Sequence, residues 1–172
     1  MLQVDLRELV RGGGAAVETQ GELKQDDAAL EGTGIALREP VAVRGRLQSI
    51  GEGRFYWQGT LRTVVAGECR RCLTPLATPL QLEIGALFTQ DLEALDDPDS
   101  YPVTPEATEI DVTPAVREEL VLAAPRYVEC REDCKGLCPQ CGKDLNAGPC
   151  DCAPATDARW QPLKALKDKL RS

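Results

Sequence analysis

The 172-residue sequence contains no histidine. That absence removes the commonest general base and every Cys-His or Ser-His nucleophilic pair. No pair of carboxylates stands in a recognisable constellation either, which leaves a nuclease reading without its machinery. Aromatic residues are scarce, with two Trp, three Tyr and two Phe, so Leu, Val, Ile and Ala must fill most of a core. No apolar run approaches the roughly 18 residues a spanning helix needs. Asp5, Arg7 and Glu8 stand where a signal peptide would need an apolar segment. The expected location is cytoplasmic, away from membranes. A positive excess is missing too: the formal net charge is −8, so the chain as a whole repels a nucleic-acid backbone and any RNA contact must be local.

What is present fits one domain of ordinary size with a small appended module. A chain of about 150 residues hides roughly 68–70% of the surface it exposes when unfolded, enough for a single core. Residues 1–40 open with Leu2, Leu6, Leu9 and Val10, pass through Gly12-Gly13-Gly14, and show only weak periodicity afterwards. From Val41 the pattern sharpens. Val41, Val43 and Leu47 alternate with Arg44, Arg46 and Gln48 as a half-buried strand requires. Gly51-Glu52-Gly53 offers a hairpin loop. The return strand places Phe55, Trp57, Leu61, Thr63 and Val65 on one face and Tyr56, Gln58, Thr60 and Arg62 on the other. A third strand carries Leu80, Leu82, Ile84, Ala86 and Phe88.

Asp91 to Glu109 holds seven acids and no base, the pattern of a solvated loop. Thr113 can then cap a helix with Pro114 at its first position and Val116, Leu120 and Ala123 on one face. A short amphipathic helix with Trp160, Leu163, Leu166 and Leu170 is expected near the end, where Lys164, Lys167, Lys169 and Arg171 outweigh Asp168. The expected fold class is α+β: an antiparallel sheet with few helices over residues 1–128, acidic loop 91–109 included. A small cysteine-zinc module with the terminal helix occupies residues 129–172.

Eight cysteines in a reducing compartment, clustered in sequence, point to metal or redox chemistry rather than to a disulfide framework. Cys138-Pro139-Gln140-Cys141-Gly142 has the form of a zinc knuckle: Pro139 fixes φ early in the turn, and Gly142 can take positive φ so that backbone N–H groups point at sulfur. Tetrahedral zinc needs four thiolates at about 2.3 Å. Cys138 and Cys141 supply two; the others come from Cys130, Cys134, Cys150 and Cys152, and spacing does not choose among them. Gly142, Asn146 and Gly148 suit a chain reversing direction between Cys141 and Cys150. So polar a segment would owe its folding energy to the metal.

Cys69-Arg70-Arg71-Cys72 lies between the second and third strands. It reads as half of a second metal site, as a redox pair, or as a turn with two small thiols. Strands flank it and Pro75 and Pro79 follow, whereas a thioredoxin-like pair opens a helix. Arg70 and Arg71 are candidates for RNA contact, together with Arg44, Arg46, Arg54 and Arg62 on neighbouring strands. The stacking aromatics of an RNA-binding sheet are nearly missing there, Tyr56 apart, which favours a merely solvated face.

These motifs in this order resemble the YceD family, the large ribosomal RNA subunit accumulation proteins of bacteria and plastids. The resemblance rests on Cys69-Arg70-Arg71-Cys72-Leu73, on Ile110-Asp111-Val112-Thr113-Pro114 before Arg117-Glu118-Glu119-Leu120, and on the run from Cys134 to Gly142 with Asp144-Leu145-Asn146 and Cys150-Asp151-Cys152 after it. Asp157-Ala158-Arg159-Trp160 before Leu163-Lys164-Ala165-Leu166 extends it, so that it covers residues 41 to 170. It implies a non-enzymatic role in accumulation or processing of large-subunit ribosomal RNA during ribosome assembly. The implied partners are that RNA, a ribosomal protein, or both, with no small-molecule substrate and no catalytic residue. The competing reading is a thiol oxidoreductase or metal-handling protein acting through Cys69 and Cys72.

Overall fold

The computed structural model of the chain describes residues 2–11, 16–91 and 100–152. The chain divides into two units, one of residues 1–68 and 75–128, the other of residues 69–74 and 129–172.

The first unit is built on three long strands, β4 (Val41–Gly51), β5 (Arg54–Glu68) and β6 (Pro75–Thr89), paired antiparallel in that order. Their alternation is the one the sequence expects. Val41, Val43, Leu47, Trp57, Leu61, Ile84, Ala86 and Phe88 are buried, while Arg44, Arg46, Gln58 and Arg62 face solvent. The β4–β5 hairpin turns on Glu52 and Gly53 at φ 54° and 69°, the two positive φ values that a tight hairpin matched to strand twist demands.

Trp57 is the largest fully buried side chain. Its indole lies over the facing pair Gly45 and Gly59, where a Cβ would meet the ring at 2.7 and 2.5 Å. Its Nε1–H donates to Thr19 Oγ1 at 3.2 Å, so the largest core side chain is fitted and its polar atom satisfied.

The first forty residues hold more structure than their weak periodicity suggests. β1 (Gln3–Asp5), α1 (Leu6–Arg11) and β2 (Val17–Leu23) lead to a short 3-10 turn at Ala28–Leu30 and β3 (Ala36–Leu37). β2 adds to the far edge of β4, with Val17 opposite Leu47 and Leu23 opposite Val41. Leu2, Val4, Leu9, Leu23 and Leu30 all join the core.

The expected acidic loop needs correction. Residues 92–99 lie outside the described residues, but β7 (Ser100–Pro102) pairs with β6 in parallel, so the sheet is mixed rather than purely antiparallel. β8 (Glu109–Asp111) pairs antiparallel with β1 in a separate two-stranded sheet. Tyr101 drives the first pairing: its ring stacks on Phe88 at 5.3 Å, and its hydroxyl donates to Glu118 at 2.8 Å. Four acids of the run fall within 92–99, outside the described residues.

α2 (Thr113–Ala123) buries Ala115, Val116 and Leu120. Thr113 is its first residue and does not cap it. Its hydroxyl accepts instead from the Leu2 N–H at 2.9 Å, while Asp111 Oδ1 accepts from the Thr113 N–H at 2.9 Å. The expected terminal helix at 160–170 lies outside the described residues. No described helix is long and apolar enough to cross a membrane.

Candidate metal centres

The eight cysteines converge in the second unit as two groups of four. Cys69, Cys72, Cys130 and Cys134 form one; Cys138, Cys141, Cys150 and Cys152 form the other. Within each, all sulfurs lie within 4.8 Å of one another. The six C-terminal cysteines thus divide between the groups, and Cys69 and Cys72 complete the quartet of Cys130 and Cys134.

The backbone explains why each pair presents its sulfurs together. In the second group, the Gly142 N–H donates to Cys138 O and the Cys138 N–H to Lys143 O, both at 2.9 Å, with Gly142 at φ 72°. The turn at Cys69 repeats this bond for bond. The Leu73 N–H donates to Cys69 O and the Cys69 N–H to Thr74 O, again both at 2.9 Å, with Leu73 at φ 58°. Cys69–Thr74 is therefore a second knuckle, with leucine where the first has glycine. That substitution hides the motif from a reading that takes Gly142 as its mark.

Each group fits a tetrahedral ion. Four thiolates at about 2.3 Å from a common centre stand about 3.8 Å from one another. Cys69 Sγ lies 3.8 Å from Cys134 Sγ, and Cys72 Sγ 3.6 Å from Cys130 Sγ. Those separations are far beyond the roughly 2.05 Å of a disulfide. Either group can hold a metal ion.

Protonation within each group is divided. The backbone N–H of Cys130, pointing at sulfur, lowers the Cys69 thiol to about 6. The N–H groups of Cys141 and Gln140 likewise lower Cys138 to about 6. The Thr74 hydroxyl lowers Cys72. Burial pushes Cys130 up to about 12, and a hydrogen bond to Cys141, followed by burial, pushes Cys152 up to about 12. Four close sulfurs cannot all be anions by themselves. A cation at their centre removes that conflict, because thiolates are the metal-binding form.

Neighbouring residues tie the groups together. Asn146, in the loop between Cys141 and Cys150, donates from its amide to Cys134 Sγ at 3.5 Å, a sulfur of the other group. Its Oδ1 accepts from the Lys135 N–H at 2.8 Å and the Arg131 guanidinium at 2.9 Å. Leu137 and Asp144 form a β-bridge between the same segments. Gly136, at φ 72°, passes so near Arg71 O that a Cβ would stand 2.9 Å from it. Asn146 suggests a loop residue in the sequence; its reach across to Cys134 carries no local signal.

Arg70 and Arg71, the sequence candidates for RNA contact, are engaged within this unit. Both pair with Glu129, Arg71 at 3.1 Å, and Arg71 Nη1 also donates to Cys134 O at 3.0 Å. The oxidoreductase reading is not favoured either. Cys69 is 0% exposed and Cys72 lies in a knuckle between two strands and opens no described helix, whereas a reactive thiol must be reachable.

Residues 57–167 match the family described as Large ribosomal RNA subunit accumulation protein YceD. The chain is 32% identical over 120 residues to Rv2926c, an uncharacterized protein of Mycobacterium tuberculosis, covering 69% of this chain and 58% of that one. It is 34% identical over 110 residues to YlbN of Bacillus subtilis, covering 61% and 60%. It is 28% identical over 142 residues to the chloroplastic Large ribosomal RNA subunit accumulation protein YCED homolog 1 of Arabidopsis thaliana, covering 66% and 44%. The chain thus spans only about half the length of these curated relatives. No solved structure matches it. With the match covering more than half of its residues, the chain belongs to the YceD family of large ribosomal RNA subunit accumulation proteins.

Proposed function

We propose that this protein is a non-enzymatic factor in the accumulation of large-subunit ribosomal RNA, and that its second unit is organised by two zinc ions. The observation that carries the RNA role is the family match over residues 57–167. The plant relative named as an accumulation protein agrees with it. Zinc is chosen over other divalent ions because four soft thiolates in a tetrahedron suit it and leave no open position for substrate water. Such a closed site builds structure rather than catalysis. The first ion would be held by Cys69, Cys72, Cys130 and Cys134, the second by Cys138, Cys141, Cys150 and Cys152.

The test is recovery of tagged protein from its own cells, with the bound RNA sequenced and the metal of the same sample measured. Enrichment of large-subunit precursor RNA with two zinc ions per chain is the expected result. Recovery with neither ribosomal RNA nor ribosomal proteins overturns the RNA role; a metal-free protein with intact tertiary structure overturns the zinc assignment.

A further inference from the structure

The solvent face of the long sheet carries a feature that the metal centres do not use. In the register of β4 and β5, Arg62 stands opposite Ala42 and Arg44 opposite Thr60. The two arginines therefore occupy one diagonal of this four-residue patch, and the two small residues occupy the other. The missing bulk leaves a cleft of about 270 Å³ lined by Ala42, Arg44, Thr60 and Arg62 alone. No acid lines it. Among the described residues, neither guanidinium has an ion-pair or hydrogen-bond partner, whereas Arg7, Arg54, Arg70, Arg71 and Arg131 are each held by a carboxylate.

We propose that this cleft is where the protein grips the phosphodiester backbone of single-stranded RNA, with Arg44 and Arg62 on the phosphate oxygens and the Thr60 hydroxyl as a further donor. The proposal rests on the RNA role argued above and names the surface for it. Two planar guanidinium forks lining one small cleft match the oxygens of a phosphate better than those of a solitary carboxylate. Their positive charge calls for an anion, and among the described residues no carboxylate forms an ion pair with either.

The surroundings set the extent of the contact. Glu22 faces Ala42 across the β2 edge, Glu83 faces Thr60 from β6, and Glu18 faces Arg46. Acids on both flanks confine the grip to about two phosphates in a chain whose net charge would otherwise repel the ligand. The face offers no row of aromatic platforms, so the contact reads backbone rather than bases.

The experiment measures binding of the full-length, zinc-loaded protein to fluorescent oligouridylate and oligoadenylate of about ten nucleotides at two salt concentrations. Both oligomers should bind alike. The Arg44→Ala/Arg62→Ala variant should bind at least about tenfold more weakly. Its log–log salt slope should be shallower by about 1.4, the loss of two single-strand phosphate contacts. A double variant losing the same charge elsewhere, Arg117→Ala/Arg126→Ala, should change affinity by less than about twofold, and both variants should melt as the wild type does.

Failure of the wild type to bind either oligomer, or binding by Arg44→Ala/Arg62→Ala equal to wild type, overturns the proposal. So does arginine-dependent binding of polyglutamate with no binding of RNA, which would assign the cleft to an acidic protein. Recovery from a lysate tests the function separately. Cleft-dependent oligomer binding without ribosomal RNA in the lysate would defeat the ribosomal role and leave the RNA site standing.

Discussion

Leu73 is the residue whose conformation is hardest to account for by its own chemistry. It holds φ 58° with the residue 55% exposed, in a region where a Cβ costs about 1–2 kcal/mol. The knuckle's two backbone bonds and the sulfurs it presents outweigh that strain. Leu73→Gly should therefore stabilise the metal-loaded protein by about 0.5–1 kcal/mol, the strain relieved less the extra unfolded-state entropy of glycine. Leu73→Val should destabilise it, because a β-branched side chain tolerates this region worst. Denaturant midpoints of the two variants check both signs. Asn146 is the second telling residue, since it bonds a sulfur of one group from the loop of the other. Asn146→Ala should weaken metal binding at the Cys69 group by about 10–100-fold, the usual loss for a partner of a metal ligand. Competition with a chromophoric chelator reads that change.

At the scale of elements, the two knuckles are the same device in different settings. Cys141→Ser should reduce bound zinc from two ions to one, leaving the Cys69 group loaded, and Cys134→Ser should do the reverse; metal analysis of purified variants distinguishes them. Proton counts follow from the divided protonation. Near neutral pH Cys130 and Cys152, both at about 12, carry protons that metal must displace. Loading should then release at least one proton per site, and affinity should rise with pH. As pH falls through about 6, Cys69 and Cys138 are protonated too, and affinity should drop more steeply. Titration in weak buffer measures the release directly.

The long strands were legible because the middle stretches of β4, β5 and β6 alternate inward apolar residues with polar or small outward ones. β2 was not, because Thr19 and Gly21 stand at inward positions: Thr19 is buried to receive the Trp57 N–H, and Gly21 makes room for Leu2. β7 is three residues long within an acidic run, and only its stacking on Phe88 reveals it. The sorting of cysteines was hidden for a different reason, since ligands chosen by tertiary approach leave no trace in spacing.

For the molecule as a whole, the Cys69 group matters through the distance along the chain that it spans. Cys72 and Cys130 are 58 positions apart and their sulfurs meet at 3.6 Å. A metal there closes a loop containing β6, β7, β8 and α2. By the chain-entropy argument used for cross-links, such a closure is worth up to about 4 kcal/mol. Removing metal with a chelator should therefore lower the melting midpoint reported by Trp57, read in a Trp160→Phe background, although Trp57 belongs to the other unit. A midpoint unchanged by chelation would show that the loop is already restrained without metal. The same span sets an order of events at birth. The ligands of the Cys138 group all lie within residues 138–152, so that site can close as soon as its own short segment has been made. The Cys69 knuckle emerges first yet lacks its other two ligands until Cys134 is added, a wait of roughly 3–12 s at about 5–20 residues per second. During nascent-chain synthesis this pair is a half-built site, and the interval is when a competing soft metal or thiol oxidation has its best opportunity.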